Sequence, residues 1–195
     1  MKWEKILKDI NLSPVFFANI SLHGLSFGNR VRELISECKF RFWVQTYVIS
    51  CNTRRASDPV AAWLRYLVDK FHSSKLDIKF LFDAPKSNRH NFNTNSHFSR
   101  FFFSNGIPFR CCSPKSTLHG KIIIVDDYCV IAGSHNWATS SVKNSSELSV
   151  EMFDPEIVSY MSRLFESRWE KSVLPKIFHG LDGGLNGSYS ESDIR

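Results

Sequence analysis

The chain has 195 residues, of which 43% are hydrophobic and 23% charged, a composition that indicates a folded domain and excludes an intrinsically disordered protein. Its length fits one domain with a substantial core. The formal net charge of +6 favours a polyanionic partner, either nucleic acid or an anionic membrane surface, although charge alone is equally compatible with neither.

Residues 1–25 are interpreted as a separate N-terminal segment. Charges at Lys2, Glu4 and Lys8 interrupt it, so it has the pattern of neither a signal peptide nor a membrane span. Its apolar residues have helical spacing, which predicts a short helix that docks on the protein's own core. These apolar residues are Trp3, Ile6, Leu7 and Ile10.

The five cysteines indicate a reducing environment. Their number is odd and no C-x-x-C pair occurs, so neither a disulfide framework nor a zinc ribbon is indicated. We therefore expect reduced thiols, a cytoplasmic location and no bound metal or cofactor. A metal site that uses the adjacent Cys111 and Cys112 is disfavoured because neighbouring cysteines give poor ligand geometry.

Helices and strands alternate through the first half of the domain. Asp58 followed by Pro59 is typical of a helix start, because Asp caps free amides and Pro suits the first turn. In chain order, the pattern predicts a helix at 28–39, a strand at 40–50, a helix at 58–71 and a strand at 78–82. Residues 84–97, which are polar, basic and rich in Asn, are predicted to form a long surface loop.

The second half continues this alternation up to residue 171. It contains a predicted helix at 97–104, strands at 107–110, 121–125, 129–132 and 147–153, and a helix at 154–171 that starts at Asp154-Pro155. Residues 176–195, rich in Gly, Ser and Asn, are interpreted as a disordered tail. Residues 26–175 are therefore predicted to form one α/β domain with a mixed β-sheet sandwiched by helices.

The chemically informative residues lie at the start of the strand at 121–125 and after the strand at 129–132. His119 and Lys121 share a strand face because side chains alternate with period two, whereas Asp126 has the opposite parity. Asp126 is therefore expected to brace local structure. Ser134 and Asn136 also share parity and can converge on His119.

An imidazole, an ammonium, a hydroxyl and a carboxamide around one point suit attack on a phosphodiester. The donors can hold non-bridging oxygens and stabilise developing charge, while the imidazole forms a covalent intermediate.

The pattern H-x-K-x4-D-x6-G-S-x-N, from His119 to Asn136, resembles the signature of the phospholipase D superfamily, in particular its small single-motif endonucleases. The resemblance implies a phospholipase D-like catalytic domain in which His119 forms a phosphohistidine without a metal. It also implies that Lys121 and Asn136 bind phosphate, that Ser134 supports that site, and that Glu147 orients His119.

Six basic residues in predicted loops are candidates for substrate binding. Each alone is explained by a solvated surface, but together they could follow the phosphates of a polyanion. They are Arg54, Arg55, Lys86, Arg89, Lys115 and Lys143.

Three functions remain open. A nuclease that cleaves DNA or RNA is favoured by the charge and the basic loops. A phospholipase D-type hydrolase that acts on a membrane lipid such as cardiolipin needs an apolar entrance, which residues 101–103 could supply, although a core-facing helix explains them better. A catalytically silent nucleic-acid-binding subunit is disfavoured by the complete motif.

The single H-x-K motif predicts a homodimer. A two-step phosphoryl transfer needs one imidazole to attack phosphorus and another to protonate the leaving oxygen. A two-fold axis through the active-site face would supply His119 from each of two chains.

Overall fold

The computed structural model describes residues 20–83, 89–112, 117–143 and 146–174, with side chains omitted at 20, 21 and 89–92. The predicted N-terminal helix and the predicted disordered tail lie outside these ranges. Residues 20–22, which the sequence assigned to the N-terminal segment, form a strand that pairs with the main sheet.

Seven strands form one mixed sheet in the order β1-β9-β7-β6-β2-β4-β5, and the other two form a small parallel pair. Within the large sheet, β2, β4 and β5 run parallel, whereas the remaining pairings are antiparallel. The strands are β1 (Ile20–Leu22), β2 (Arg41–Thr46), β3 (Ile49–Ser50), β4 (Asp77–Phe82), β5 (Phe109–Cys111), β6 (Lys121–Val125), β7 (Cys129–Gly133), β8 (Trp137–Ala138) and β9 (Ser149–Met152).

Four helices connect strands in the described part of the chain, and a fifth follows the last strand. Both predicted Asp-Pro starts are confirmed: Asp58 accepts hydrogen bonds from the amides of Val60 and Ala61, and Asp154 caps its helix in the same way. The helices are α1 (Gly24–Glu37), α2 (Pro59–Ser74), α3 (Arg89–Ser104), α4 (Thr139–Lys143) and α5 (Pro155–Lys171).

Alternation along the strands sends side chains into two separate cores. Ile123 and Val125 of β6 belong to the larger cluster, which contains residues of α1, α2 and α3. Ile122 and Ile124 belong to a second cluster that contains Phe165 of α5. Helices therefore cover both faces of the mixed sheet, which confirms the predicted fold class.

The predicted strand at 40–50 is in fact two strands. β2 ends at Thr46, and Ile49–Ser50 leave the main sheet to pair in parallel with Trp137–Ala138. The periodicity of one apolar run could not show this change of partner, because β8 and α4 were not predicted.

The predicted surface loop at 84–97 is largely helical, since α3 begins at Arg89. Asn95 is 2% exposed, and its amide forms three hydrogen bonds with backbone groups elsewhere: it donates to Tyr47 O and Asp83 O and accepts from Ile49 N. The polar side chain of Asn95 therefore forms hydrogen bonds with buried backbone groups and not with solvent. Phe102 lies in the core, so the apolar run at 101–103 is explained by packing.

Candidate active site

His119 lies just before β6, in a segment anchored from the neighbouring strand. The carboxylate of Asp83, directly after β4, accepts a hydrogen bond of 3.2 Å from the amide of Leu118. His119 itself is exposed, whereas Lys121 is only 7% exposed. The site therefore joins a solvent-accessible imidazole to a buried ammonium.

Lys121 Nζ contacts His119 at three atoms. It donates to the His119 carbonyl oxygen at 2.6 Å and lies 3.1 Å from Nδ1 and 3.2 Å from Nε2. The in-plane lone-pair directions of the two ring nitrogens diverge, so one ammonium cannot align with both. The carbonyl bond therefore fixes the ammonium, and its charge lies beside the ring.

Tyr47, which the sequence reasoning missed, completes the surroundings of His119. Its ring centroid lies 5.1 Å from that of His119 and 5.6 Å from Lys121 Nζ. Tyr47 directly follows β2, the strand paired with β6. No signal for this position exists in the sequence, because Tyr47 lies within the predicted strand at 40–50 and only the structure shows that β2 ends at Thr46.

Asn136 is oriented by the end of β2. Its Oδ1 accepts hydrogen bonds of 3.3 Å from Thr46 Oγ1 and from the amide of Val48. This arrangement leaves the Nδ2 donor on the opposite side of the carboxamide. Because Gly133 is the register partner of Lys121, the segment that carries Asn136 begins beside the start of β6.

Position 133 requires a glycine because two strands approach each other closely there. A Cβ at this position would lie 2.3 Å from both Leu148 O and Ser149 Oγ, well inside van der Waals contact. The glycine of the motif thus lets β9 approach β7, and only Leu148 separates Glu147 from β9 along the chain.

The side chain of Ser134 bonds to the backbone of Leu148, just before β9. Its hydroxyl accepts a hydrogen bond of 2.9 Å from the Leu148 amide and lies 3.2 Å from the Leu148 carbonyl oxygen. Within the described residues it forms no hydrogen bond with His119, Lys121 or Asn136. Ser134 therefore holds the backbone of Leu148, the residue next to Glu147, in place.

Glu147 is half-buried and acts electrostatically on Lys121. Burial is the larger influence and lowers the pKa of Lys121 below its ordinary value, while the charge of Glu147 partly opposes that shift. No hydrogen bond joins Glu147 to His119 among the residues that the structure describes. The orienting role that the resemblance implies for Glu147 stays a prediction.

Asp126 lies at the opposite end of β6 from Lys121. It is 4% exposed, has φ of 48°, and its carboxylate accepts hydrogen bonds from the amides of Lys39, Phe40 and Arg41. These bonds hold the connection between α1 and β2. The geometry agrees with the parity argument for a brace.

Two further residues hold the catalytic strand from its other face, and the sequence reasoning missed both. Gln45, 1% exposed, donates to Gly120 O at 3.0 Å and accepts from Arg168 of α5 at 2.8 Å. Gly120 separates His119 from Lys121, so this buried amide fixes the peptide between them. A polar residue within an apolar strand was the signal.

The candidate substrate-binding residues are only partly described. Arg54, Arg55 and Lys143 are exposed and form no ion pair within the described ranges. Lys86 and Lys115 lie outside those ranges. Arg89 occupies the first position of α3, but its side chain is not described.

The remaining observations concern disulfides, metal binding and membrane-spanning helices. All five cysteines lie in the described part of the chain, and none is in a disulfide. Across the described ranges, no group of three or more His, Cys, Asp or Glu residues could hold a metal ion. No helix in those ranges combines the length and apolar character needed to cross a bilayer.

The fold and a family-model match together place the chain in the phospholipase D superfamily, which confirms the resemblance. The family model described as "Cardiolipin synthase, PLD-like domain" matches residues 31–169. The chain therefore belongs to this PLD-like family, whose superfamily includes phosphodiester hydrolases.

Similar proteins include a mitochondrial cardiolipin hydrolase and two bacterial structures, Nuc and NucT. This chain is 36% identical to the mitochondrial cardiolipin hydrolase of Mus musculus over 66 residues. Those residues make up 34% of this chain and 30% of the relative. The match thus spans under a third of that relative. Nuc from Salmonella typhimurium has TM-score 0.63 and 22% identity, covering 80% of this chain and 95% of that one. NucT from Helicobacter pylori has TM-score 0.58 and 16% identity, covering 81% and 99%.

Proposed function

We propose that this chain is a metal-independent phosphodiesterase, foremost an endonuclease of DNA or RNA, with His119 as its nucleophile. The observation that carries the proposal is the exposed imidazole of His119 beside the buried ammonium of Lys121. The ammonium supplies positive charge at the point where a phosphate would meet the imidazole. The net charge favours a nucleic acid over a neutral substrate, as do the exposed Arg54, Arg55 and Lys143, which form no ion pair within the described ranges.

The reaction consists of two displacements at phosphorus. A neutral nitrogen of His119 attacks phosphorus, the bond from phosphorus to the leaving oxygen breaks, and an imidazolium gives that oxygen its proton. The resulting phosphohistidine is then attacked by water, which passes a proton to the second imidazole as the phosphorus–nitrogen bond breaks. Lys121 Nζ and Asn136 Nδ2 donate to the non-bridging oxygens in both steps.

The decisive experiment incubates the purified chain with labelled single-stranded DNA, duplex DNA and RNA in the presence of EDTA. We expect cleavage to persist, because Lys121 and Asn136 supply the stabilisation that a metal gives elsewhere. His119→Ala should lower turnover at least about 10³-fold, since covalent catalysis has no substitute group there. The matched control, His72→Ala, removes an exposed histidine on α2.

Two outcomes would contradict the proposal. One is complete loss of cleavage on chelation that added Mg²⁺ restores. The other is a trapped phosphoenzyme that carries its phosphate on a residue other than His119, identified by peptide mapping under alkaline conditions in which phosphohistidine survives.

A phospholipase D-type hydrolase is the second candidate, and one observation favours it. The relative with 36% identity over 66 residues is named for hydrolysis of cardiolipin. Vesicles that contain cardiolipin therefore form a further arm of the same experiment. Release of a phosphatidyl product without nucleic-acid cleavage would establish this candidate instead.

We also propose that the active unit is a symmetric dimer. His135 is 2% exposed and stacked on Phe27, with ring centroids 4.0 Å apart, so it cannot meet a substrate beside His119. A second chain would supply the second imidazole. Leu148, beside Glu147, is 46% exposed, which gives the active-site face an apolar residue suited to an interface.

A further inference from the structure

A groove between α1, α2 and α4 lies outside the site described above. Its volume is about 420 Å³, within the range of small-ligand sites and large enough for one nucleobase. Trp63 and Val142 contribute apolar surface, and Tyr66, 38% exposed, contributes an accessible aromatic ring. Arg32 and Lys143 line it from α1 and α4. We call this surface the helix groove.

The cations of the helix groove lack acidic partners within the described residues. Arg32 and Lys143 form no ion pair there. Two more arginines lie at the same edge: Arg55 donates to the hydroxyl of Ser57, which lines the groove, and Arg65 donates to the carbonyl of Ala56. Two cations thus line the apolar groove, and two more contact the segment at its edge.

The acidic residues of the three surrounding helices do not neutralise these cations. Glu33 and Glu37 of α1 both pair with Arg30. Asp69 of α2 forms no ion pair among the described residues, and α4 has no acidic residue. Asp58, which caps α2 at the edge of the groove, is buried and accepts hydrogen bonds from backbone amides and from Thr139. The charge complement of the helix groove is therefore an anion supplied by another molecule.

We propose that the helix groove binds single-stranded nucleic acid, with a base stacked on Tyr66 and phosphates beside Arg32 and Lys143. This inference rests on the proposed nuclease function and places a substrate-binding site away from His119. A single strand is specified because its bases expose their faces, whereas a duplex keeps them stacked on each other. A concave site also suits a strand better than it suits a membrane surface.

The helix groove is near enough to the catalytic residues to act on the same strand. Lys143 follows Asn136 by seven residues, five of which belong to α4, so their Cα atoms are at most about 25 Å apart. Single-strand sites commonly span roughly 4–16 nucleotides. A strand held in the groove can therefore continue to His119.

The test measures binding of fluorescent single-stranded oligonucleotides by anisotropy, in the His119→Ala background so that nothing is cleaved. Adding Arg32→Gln and Lys143→Gln should weaken binding about tenfold and reduce the slope of log Kd against log salt by up to about 1.4. Tyr66→Ala should weaken binding about fivefold to a hundredfold, while Tyr66→Phe, which keeps the ring, should restore it. Arg163→Gln, an exposed arginine on α5 across the sheet, is the matched control and should leave binding unchanged.

Three results would overturn the inference. If the groove variants bind single strands as tightly as the parent, the groove is not a binding site. If Arg163→Gln weakens binding equally, the effect comes from the net charge of the protein and not from the groove. Lost binding to phosphatidylglycerol vesicles with oligonucleotide binding intact would identify a membrane surface instead. Hydrolysis of bis(p-nitrophenyl) phosphate by the wild type measures the chemistry at His119 separately, so failure of the groove and failure of the proposed function are distinguishable.

Discussion

Lys121 combines a buried position with a charge that phosphate binding requires. Its side chain is 7% exposed, and burial lowers its pKa although the charge of Glu147 opposes the shift. An ammonium that has lost much of its hydration interacts strongly with an incoming phosphate, since the surrounding dielectric constant is low. The same burial destabilises the unliganded fold.

We therefore expect Lys121→Met to abolish activity and raise the free energy of unfolding at pH 7 by about 1 kcal/mol. The folded-state pKa of Lys121 lies below its unfolded value, so the destabilisation is present at neutral pH and disappears as pH rises through the folded-state pKa towards 10.5. Urea unfolding at pH 7 and at pH 10 measures both quantities.

Lys143→Met provides the control for this prediction because Lys143 is exposed and pays no comparable desolvation. It should change stability little at either pH. A Lys121→Met protein less stable than wild type at pH 7 would show that the bond to the His119 carbonyl outweighs burial.

At the scale of elements, the connection between β7 and β8 carries three consecutive residues with different tasks. Ser134 clamps the start of β9, His135 turns inward, and Asn136 meets the end of β2. His135 Nδ1 lies 2.8 Å from Ser149 Oγ, and its Nε2 is buried without a hydrogen-bond partner among the described residues. The buried side chain of His135 thus anchors the segment that carries Ser134 and Asn136.

This arrangement predicts an acid-sensitive element. Burial is the largest influence on His135 and lowers its pKa; Glu147 opposes the shift and His23 adds to it. A depressed folded-state pKa means that the stabilisation is complete above about pH 6.5 and is lost as pH falls through the folded-state value. The wild type should therefore lose stability between pH 7.5 and pH 5 through this group.

His135→Gln removes the titrating group and should flatten that loss, whatever its effect at neutral pH. Urea midpoints at the two pH values give the comparison. His72→Gln, at an exposed histidine near the end of α2, should keep the wild-type pH dependence. An equal acid loss in the wild type and His135→Gln would assign the effect to other groups.

At the scale of the whole molecule, the number of catalytic histidines determines the expected assembly. One chain supplies one H-x-K motif, whereas the proposed cycle uses two imidazoles. We expect light scattering to give the mass of a dimer at concentrations where the protein is active. We also expect an obligate homodimer to have a sizeable, fairly apolar interface.

Mixed dimers test whether both copies of His119 act in one site. Wild-type chains exchanged with excess tagged His119→Ala chains should form heterodimers with one imidazole, which cannot complete the cycle. Purified heterodimers should therefore have far less than half the wild-type turnover. A fully active monomer, or heterodimers with half of that turnover, would exclude a shared site.

The sequence by itself determined the fold class and the residues of the motif. The fold class followed because strands and helices leave different periodicities, and both Asp-Pro starts marked their helices correctly. His119, Lys121 and Asn136 were identified because their spacing along two strands implies a common location. Strand parity predicted that Asp126 would not join them; in the structure Asp126 follows the last residue of β6, so the length of the strand separates it from Lys121.

Only the tertiary structure decided which distant residues meet those of the motif. Tyr47 and Gln45 are 72 and 74 positions from His119 in the sequence, and nothing in their local pattern specifies which residues they contact. Their roles arise because β2 pairs with both β4 and β6, which brings three strand ends to one place. The periodicity of a strand indicates whether a residue faces a core, but the order of the strands determines which residues lie next to one another in that core.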